Sequence, residues 1–151
     1  MDKISLDILK ILQEKARIPN VEVSRKIGLA PSAVLERIRK MEKQGIIDGY
    51  EVRLNPELFN RSQVAFIHVT TEAGKTEEIG DILAEIAEIQ EVHYVTGNDC
   101  FFIKLRCENN KALGELLQLK IQKIDGVIST KTETVISTVK ETSRIPLPPT
   151  L

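Results

Sequence analysis

The sequence lacks the features on which membrane-spanning and exported proteins depend. No apolar run among its 151 residues approaches the ~18–20 residues needed to cross a bilayer. The N-terminus shows no basic segment followed by an apolar one, so no signal peptide is predicted and we expect a cytoplasmic chain without a membrane partner. With 42% hydrophobic and 28% charged residues, the chain has the composition of one or two folded domains rather than of a disordered protein.

Cysteine and histidine are scarce. Cys100 and Cys107 lie on one predicted strand, where about 3.3 Å per residue places them about 23 Å apart. A disulfide requires Cα atoms within ~7 Å, so we expect two reduced thiols, which the odd spacing turns to opposite faces of the sheet. Only His68 and His93 could join them as metal ligands. The sequence therefore predicts no metal site and no cofactor.

An excess of positive charge is also missing, since the net charge is −1. However, the positive charges are not evenly distributed along the chain. Residues 25–43 contain six Lys or Arg side chains against Glu36 and Glu42, a local charge of +4. Distant charges are screened beyond a Debye length of ~8–10 Å, so this local concentration decides whether phosphates are attracted. The near-neutral total therefore does not exclude a nucleic-acid binder.

The first 60 residues have the periodicity of helices. A first helix is predicted by an apolar stripe of Ile4, Ile8, Ile11 and Leu12. Asn20 is the expected N-cap of a second helix, which Gly28 ends. Pro31 suits the first position of a third helix, which Gly45 ends. Two helices around a short turn predict a helix-turn-helix at residues 20–44.

The segment after the third helix changes character. Residues 46–52 have the pattern of a short strand, a turn and a second strand, which is typical of a wing. Asn55-Pro56 marks a loop, and residues 59–63 are the expected hinge. We therefore predict a winged helix-turn-helix domain over residues 1–59.

Strands and helices alternate from Gln63 onward. Strands are predicted at 64–71, 92–96, 100–107 and 127–140, and apolar helical stripes at 79–89 and 113–124. The order βαββαβ predicts a ferredoxin-like α+β sandwich over residues 60–141. A weak repeat supports it, because Ile82, Ile86, Ile89 and Val92 recur at a constant offset of 35 as Leu117, Ile121, Ile124 and Val127.

The predicted sheet has one face that its own helices cannot cover. Both helices of a βαββαβ fold pack on the same side, so a second subunit is the economical cover for the other side. We therefore expect a dimer. The Pro-rich tail over residues 142–151 cannot be helical, and two interpretations stay open for it: disorder, or an extended segment that packs on a partner subunit.

The third helix carries the strongest functional signal. At ~100° per residue, Val34, Ile38 and Met41 share one side and are predicted to face the core. The opposite side is short and polar near its start and basic farther along, which is typical of a recognition helix. Its candidates for reading bases are Ser32, Ala33 and Glu36, and its candidates for binding phosphates are Arg39, Lys40 and Lys43.

Arg37 is also a DNA-binding candidate, although it falls on the flank of the core stripe. A structural role for it is slightly favoured. For the helix as a whole, the alternative is an ordinary solvated face, on which acidic side chains would be expected to balance the basic ones.

Four strings of residues together resemble the leucine-responsive/asparagine regulator (Lrp/AsnC) family. They are Ala16-Arg17-Ile18-Pro19-Asn20-Val21-Glu22, Gly28-Leu29-Ala30-Pro31-Ser32, Leu35-Glu36-Arg37-Ile38-Arg39 and Gln44-Gly45-Ile46-Ile47-Asp48-Gly49-Tyr50. The resemblance covers nearly the whole chain and implies that the βαββαβ half is an amino-acid-sensing regulatory domain. The sequence departs from the family at Ala30, where a capping Ser is usual. Loss of such a cap costs ~0.5–2 kcal/mol, which Pro31 partly offsets.

The resemblance further implies an effector site at contacts between dimers, near the turn between the second and third strands. The family pattern Gly-x-x-Asp is replaced here by Gly97-Asn98-Asp99-Cys100. A thiol binds an ammonium group poorly, whereas a carboxylate binds it well. Three interpretations stay open: an amino acid bound through Asp99 and backbone groups, a different small molecule, or no effector and a turn used only for assembly.

The leading hypothesis is a nucleoid-associated transcription regulator that binds a pseudo-palindromic operator in double-stranded DNA. The expected assembly is a dimer, built up to an octamer as a tetramer of dimers. One alternative is a sirohaem-decarboxylase-like enzyme that uses His68 and His93 on the same two-domain body. The other is a nucleoid-organising protein that wraps DNA with weak specificity.

Overall fold

A computed structural model describes residues 1–97 and 100–148 of the chain. The chain divides into two units. One consists of Met1–Arg53 together with the C-terminal residues from Glu141 onward, and the other of Leu54–Lys140. In the described part of the chain, no helix combines the length and the apolar character needed to cross a membrane.

Three helices form the first unit: α1 (Lys3–Glu14), α2 (Asn20–Ile27) and α3 (Pro31–Lys43). Their apolar stripes meet in one core, as the periodicity predicted. The buried members of this core are Ile8, Leu9, Val23, Val34, Ile38 and Met41. Between α2 and α3, Gly28 adopts a left-handed φ of 77°, which glycine tolerates without a Cβ clash. The predicted helix-turn-helix is therefore present.

Asn20 does not cap α2 as predicted. It is the first residue of the helix, and Pro19 stands at the N-cap without a side-chain hydrogen bond. The carbonyl of Pro19 instead accepts hydrogen bonds from the N–H groups of Glu22 and Val23. Proline fixes its own φ near the value found here, and the helix begins one residue earlier than a side-chain cap at Asn20 would place it.

The two strands predicted within residues 46–52 are also not formed. The structure describes the whole of Gly45–Asn55, and this segment contains no strand. An isolated two-stranded hairpin is marginal in water unless it packs on something. Here Ile47 packs against the helical core, but Tyr50, Val52 and Leu54 are more than half exposed, so the residues after Ile47 have little apolar support within their own chain.

A four-stranded antiparallel sheet dominates the second unit. Its strands are β1 (Gln63–Thr71), β2 (Ile89–Tyr94), β3 (Phe101–Cys107) and β4 (Val127–Thr134), in the spatial order β2-β3-β1-β4. The helices α4 (Thr76–Ala84) and α5 (Asn110–Leu116) provide the two crossovers, and a π-helical turn, Leu117–Ile121, follows α5. This is the predicted βαββαβ arrangement.

The core of the second unit lies between the sheet and its helices. Alternate residues of the two central strands are buried there, among them Ile67, Val69, Ile103 and Leu105. They pack against Ile79 and Leu83 of α4 and against Leu113 and Leu116 of α5. Period-two burial in strands and i, i+4 burial in helices are what the sequence predicted.

Two strands have different lengths from those predicted. β2 begins at Ile89 rather than Val92 and contains a register shift before Glu91. β4 ends at Thr134 rather than Lys140. Its partner β1 begins at Gln63, and the last main-chain bond joins the N–H of Val135 to the carbonyl of Val64. β4 ends there because its neighbour does, even though the sequence remains β-prone.

Candidate nucleic-acid interface and effector turn

The third helix α3 presents two chemically different sides. Val34, Ile38 and Met41 are at most 7% exposed, which confirms the predicted core stripe. The residues predicted to face outward are exposed, except that Ala33 is half-buried; the exposed ones are Ser32, Glu36, Arg39, Lys40 and Lys43. One amphipathic helix therefore packs on the domain with one side and offers a polar and basic surface with the other.

The cations of this outward side are not neutralised by acidic neighbours. Arg39, Lys40 and Lys43 make no ion pair or side-chain hydrogen bond with any residue that the structure describes. The adjacent acid, Glu42, instead accepts a hydrogen bond of 2.8 Å from the Tyr50 hydroxyl. The balanced charge pattern of an ordinary solvated face is therefore absent from the described part of this helix, and the basic groups are available to phosphates.

Arg37 is engaged within its own unit. Its guanidinium lies 2.6 Å from a carboxylate oxygen of Asp2 and 3.2 Å from the Ser5 hydroxyl. Asp2 also caps α1 by accepting the N–H of Ser5 at 2.8 Å. That backbone hydrogen bond, followed by the bond from Arg37, holds the pKa of the Asp2 carboxyl well below its usual range. Arg37 thus joins α3 to the start of α1.

Sequence reasoning did not identify three participants in this region. Asp2 has a readable signal, because an Asp directly before an amphipathic helix is a typical N-cap. Arg25 and Lys26 lie exposed in the last turn of α2, and they counted toward the local charge without being named as site residues. They extend the basic character of the helix-turn-helix beyond α3.

Tyr50 fixes the segment that follows α3. Partial burial, and then its hydrogen bond to Glu42, raise the pKa of the Tyr50 hydroxyl to about 12. The bond joins a residue in irregular backbone to the last turn of α3. The segment is thereby held at one point although it forms no strand.

The predicted effector turn lies between β2 and β3, and the structure describes only part of it. Gly97 has φ of 123°, a conformation that favours glycine. The main chain closes on either side of the turn, because the N–H of Val95 donates to the carbonyl of Cys100 at 3.0 Å. Asn98 and Asp99, which were named as effector-binding candidates, lie outside the described residues.

Cys100 is turned toward the core. It is half-buried and packs against the cluster that contains Cys107, and its thiol lies 4.0 Å from the carbonyl oxygen of Thr71. The prediction that the two cysteines face opposite sides of the sheet is wrong, because Cys100 precedes β3 instead of continuing its alternation. Both are free thiols, as predicted.

A buried hydroxyl without a partner lies close to this turn. Thr71, the last residue of β1, is 6% exposed, and its Oγ1 has no hydrogen-bond partner in the described structure. Leaving such a group unpaired costs about 1–3 kcal/mol, so it marks a place where a water or a ligand group would be favoured.

The two histidines flank one aromatic ring on the helix-free face of the sheet. Phe102 pairs in register with His68 on one side and with His93 on the other. The His68 and Phe102 ring centroids are 4.7 Å apart, and His93 bonds to Glu91 at 3.2 Å. Within residues 1–97 and 100–148, no three His, Cys, Asp or Glu side chains are grouped so that they could hold a metal ion.

Comparison with known protein families matches both units. A winged helix-turn-helix DNA-binding model matches residues 1–48, and the Lrp/AsnC ligand-binding domain model matches residues 64–145. The leucine-responsive regulatory proteins of Klebsiella pneumoniae and Escherichia coli K12 are each 36% identical to the chain over 148 residues. In both cases the match covers 96% of this chain and 90% of the relative.

Solved structures agree. Escherichia coli AsnC superposes with a TM-score of 0.89 at 29% identity, covering 97% of this chain and 99% of the other. A Neisseria meningitidis transcriptional regulator in complex with L-methionine gives a TM-score of 0.93 at 28% identity, covering 97% and 96%. These relatives are regulators and not enzymes, so the decarboxylase alternative is not supported. The chain belongs to the Lrp/AsnC family of transcription regulators, with a helix-turn-helix DNA-binding domain and a ligand-binding domain.

Proposed function

We propose that the chain binds a pseudo-palindromic DNA operator through the outward side of α3. In this proposal Ser32, Ala33 and Glu36 meet base edges, and the three cations of the same side meet phosphates: Arg39, Lys40 and Lys43. The observation that carries the proposal is that these cations are exposed and have no acidic partner in the described structure. Arg37 contributes by holding α3 against α1.

Glu36 has a distinct part in this proposal. It is exposed on the early half of α3, where a recognition helix enters the major groove, and its carboxylate accepts hydrogen bonds but donates none. A cytosine amino group is the base-edge donor that suits it. We therefore propose Glu36 as a specificity residue, which repels phosphates unless the correct base satisfies it.

The assembly that we propose is a dimer formed through the helix-free face of the sheet. Phe66 and Phe102 stack there with ring centroids 5.3 Å apart and planes within 3° of parallel. Both rings are half-buried within one chain, and Lys104 on the same face is bonded to Glu91 at 3.0 Å. Stacked aromatics framed by paired charges have the character of an interface core and rim. A tetramer of such dimers is the proposed octamer.

The proposed effector is an amino acid or a molecule of similar size, bound at the turn that contains Gly97, Asn98, Asp99 and Cys100. Cys100 takes no direct part in binding an ammonium group, because its thiol is directed toward the Thr71 carbonyl. Asp99 is therefore the proposed charged partner, with main-chain groups of the turn beside it. The L-methionine bound to the Neisseria meningitidis relative supports an amino acid as the ligand class.

A gel-shift titration on the DNA upstream of the protein's own gene tests the proposal. We call the helix-turn-helix unit of one subunit a head. Three phosphate contacts per head predict that a plot of the logarithm of the DNA-binding constant against the logarithm of the salt concentration has a slope of about −2.7 for each head. Binding should therefore weaken by at least two orders of magnitude between about 50 mM and about 300 mM salt. Equal binding at both salt concentrations would contradict the phosphate assignments.

The same assay, repeated with a panel of amino acids, tests the effector. We expect at least one amino acid to change the apparent affinity, and Asp99→Asn to abolish that response while DNA binding remains. A wild-type protein that shifts the DNA without responding to any amino acid would contradict an amino-acid effector and leave the other two interpretations, a different small molecule or a turn used only for assembly. Footprinting distinguishes a local regulator, with a short protected site, from a DNA-wrapping protein.

Because its ligand is chromosomal DNA, we place the protein in the cytoplasm in association with the nucleoid.

A further inference from the structure

The segment from Glu141 to Pro148 is tied to helix α1. Both main-chain groups of Ile145 bond to one side chain: its N–H donates to Gln13 Oε1 at 2.9 Å, and its carbonyl accepts from Gln13 Nε2 at 3.2 Å. One glutamine amide thus pairs both the N–H and the carbonyl group of Ile145, as the main chain of a neighbouring strand would in a sheet. These described residues of the tail therefore form contacts within their own chain.

A second attachment lies at the end of α1. The Arg144 guanidinium donates to the carbonyl oxygen of Glu14 at 3.3 Å. Helix α1 has no basic residue in its own last turn, so this cation adds to the C-cap residue Lys15 in complementing the helix C-terminus. The Thr142 hydroxyl accepts the N–H of Arg144 at 3.1 Å and helps to hold the approach to this site.

The third attachment is apolar. Leu147 packs against the core that α1, α2 and α3 share. Pro146 and Pro148 on either side of it fix their own φ and favour extended backbone in the residues before them, which lowers the entropy lost when the segment is ordered. Three different kinds of contact over four consecutive residues indicate a built docking segment.

Because the tail is docked on α1, the chain connects the two units twice. The chain leaves the first unit after Arg53 and returns to it at Glu141, so two covalent connections join the DNA-binding unit to the sheet. The second connection runs from the end of β4 at Thr134 to Glu141, and seven residue steps reach at most about 25 Å. A docked tail therefore limits how far α1 can move from the end of β4.

We propose that residues 141–148 are a strap, which restrains the DNA-binding unit relative to the regulatory unit and thereby sets which half-site spacings the protein accepts. A head on one connection explores a larger volume than a head on two, so its effective concentration at the second half-site is lower. The proposal rests on the proposed dimeric DNA binding for its functional consequence, and on the contacts of Ile145 for the strap itself.

The test compares Gln13→Ala, which removes both bonds to Ile145, with a protein truncated after Lys140 and with Lys15→Ala as the matched control. Lys15 is an exposed residue just beyond α1 and has no strap contact among the described residues. Amide exchange at Ile145 should be slow in the wild type and in the control, and fast in Gln13→Ala. Fast exchange in the wild type would overturn the strap regardless of any DNA result.

The second readout is the ratio of affinities for DNA with two half-sites and with one. Release of the strap should lower this ratio by about tenfold and flatten its dependence on half-site spacing, while affinity for one half-site is kept. An unchanged ratio would overturn the proposal, and so would an equal loss on both DNAs, because either result means that the tail only supports the fold. If the wild type shows a slow Ile145 amide but no DNA binding, the strap is attached and the proposed function has failed instead.

Discussion

The two units of the molecule expose side chains in contrasting ways. The outward side of α3 carries exposed cations without described acidic partners, such as Arg39 and Lys43. On the helix-free face of the sheet the stacked rings of Phe66 and Phe102 are half-buried, and the charge of Lys104 is already paired with Glu91. A polyanion matches the first surface and a second apolar surface matches the second. The contrast supports the proposal that these two faces of one chain bind partners of different chemistry.

The largest predicted effect comes from placing a charge at the centre of the helix-free face of the sheet. Phe102→Glu places a carboxylate between His68 and His93 and removes the ring that stacks on Phe66. We expect a monomer by analytical ultracentrifugation, and an operator affinity lower by two orders of magnitude or more, because two linked heads become independent. Lys111→Ala, an exposed change on α5, is the control. A variant that stays dimeric would show that this face is not the interface.

A smaller effect distinguishes the two neighbouring arginines of α3. Arg39→Ala should lower DNA affinity about tenfold and reduce the salt slope by about 0.9 per head, with unfolding unchanged. Arg37→Ala should leave the salt slope unchanged and lower the melting temperature, because it leaves Asp2 and Ser5 without their partner. Salt titration and calorimetry measure the two effects. A changed salt slope in Arg37→Ala and a lowered melting temperature in Arg39→Ala would mean that Arg37 contacts the DNA and Arg39 supports the fold.

The Arg37 contact also gives the first unit an acid dependence. The pKa of Asp2 is lowered by folding, so its contribution to stability is complete above the ordinary carboxyl pKa of about 4. That contribution is lost as the pH falls toward the lower folded-state value. Denaturant titrations between about pH 5 and about pH 2 should show a smaller acid-induced loss of stability in Asp2→Asn than in the wild type. Equal pH profiles would contradict the assigned contact.

Tyr50 is expected to give the first unit a corresponding dependence of stability on alkaline pH. Its pKa is raised to about 12, so its neutral form is stabilised by folding; the contribution is present below about pH 10 and is lost as the pH rises through about 12. Tyr50→Phe should remove this dependence while keeping the ring, and absorbance titration of the phenolate measures it directly. The difference between the wild-type and Tyr50→Phe titrations isolates Tyr50 from Tyr94, and a difference with a normal tyrosine pKa would contradict the bond to Glu42.

The smallest predicted effect concerns Thr71 beside the effector turn. Thr71→Val replaces an unpaired buried hydroxyl by a methyl group, so we expect a change in the free energy of unfolding within about 1 kcal/mol, in the stabilising direction. The variant should also respond more weakly to the effector if the hydroxyl meets the ligand or its water. Thr71→Ser, which keeps the hydroxyl, is the matched control. A loss of stability greater than this would indicate that the hydroxyl has a partner.

The features predicted correctly from the sequence are those that local periodicity determines. The stripe of Val34, Ile38 and Met41 and the alternation of β3 follow from 3.6-residue and two-residue repeats, and both are confirmed. The βαββαβ order then restricts the topology to the observed sheet. The outward side of α3 was predictable for the same reason, because directions on a helix follow from residue number alone.

The predictions that were wrong depend on what lies beside a segment. β4 ends where β1 stops offering partners, and Tyr50, Val52 and Leu54 of the predicted wing segment are more than half exposed. The contact of Arg37, for which a structural role was favoured, is to a residue 35 positions away. The docking of the tail depends on Gln13, which is 132 positions from Ile145. No periodicity encodes such pairings, since they depend on the tertiary fold.

The most direct test of the account is the salt dependence of operator binding, measured for the wild type and for a variant in which Arg39, Lys40 and Lys43 are all replaced by alanine. The account predicts a slope that is less steep by about 2.7 per head in the variant, with an unchanged dimer and an unchanged melting temperature. An equal slope in the two folded proteins would contradict it, because the phosphates would then be bound by some other surface.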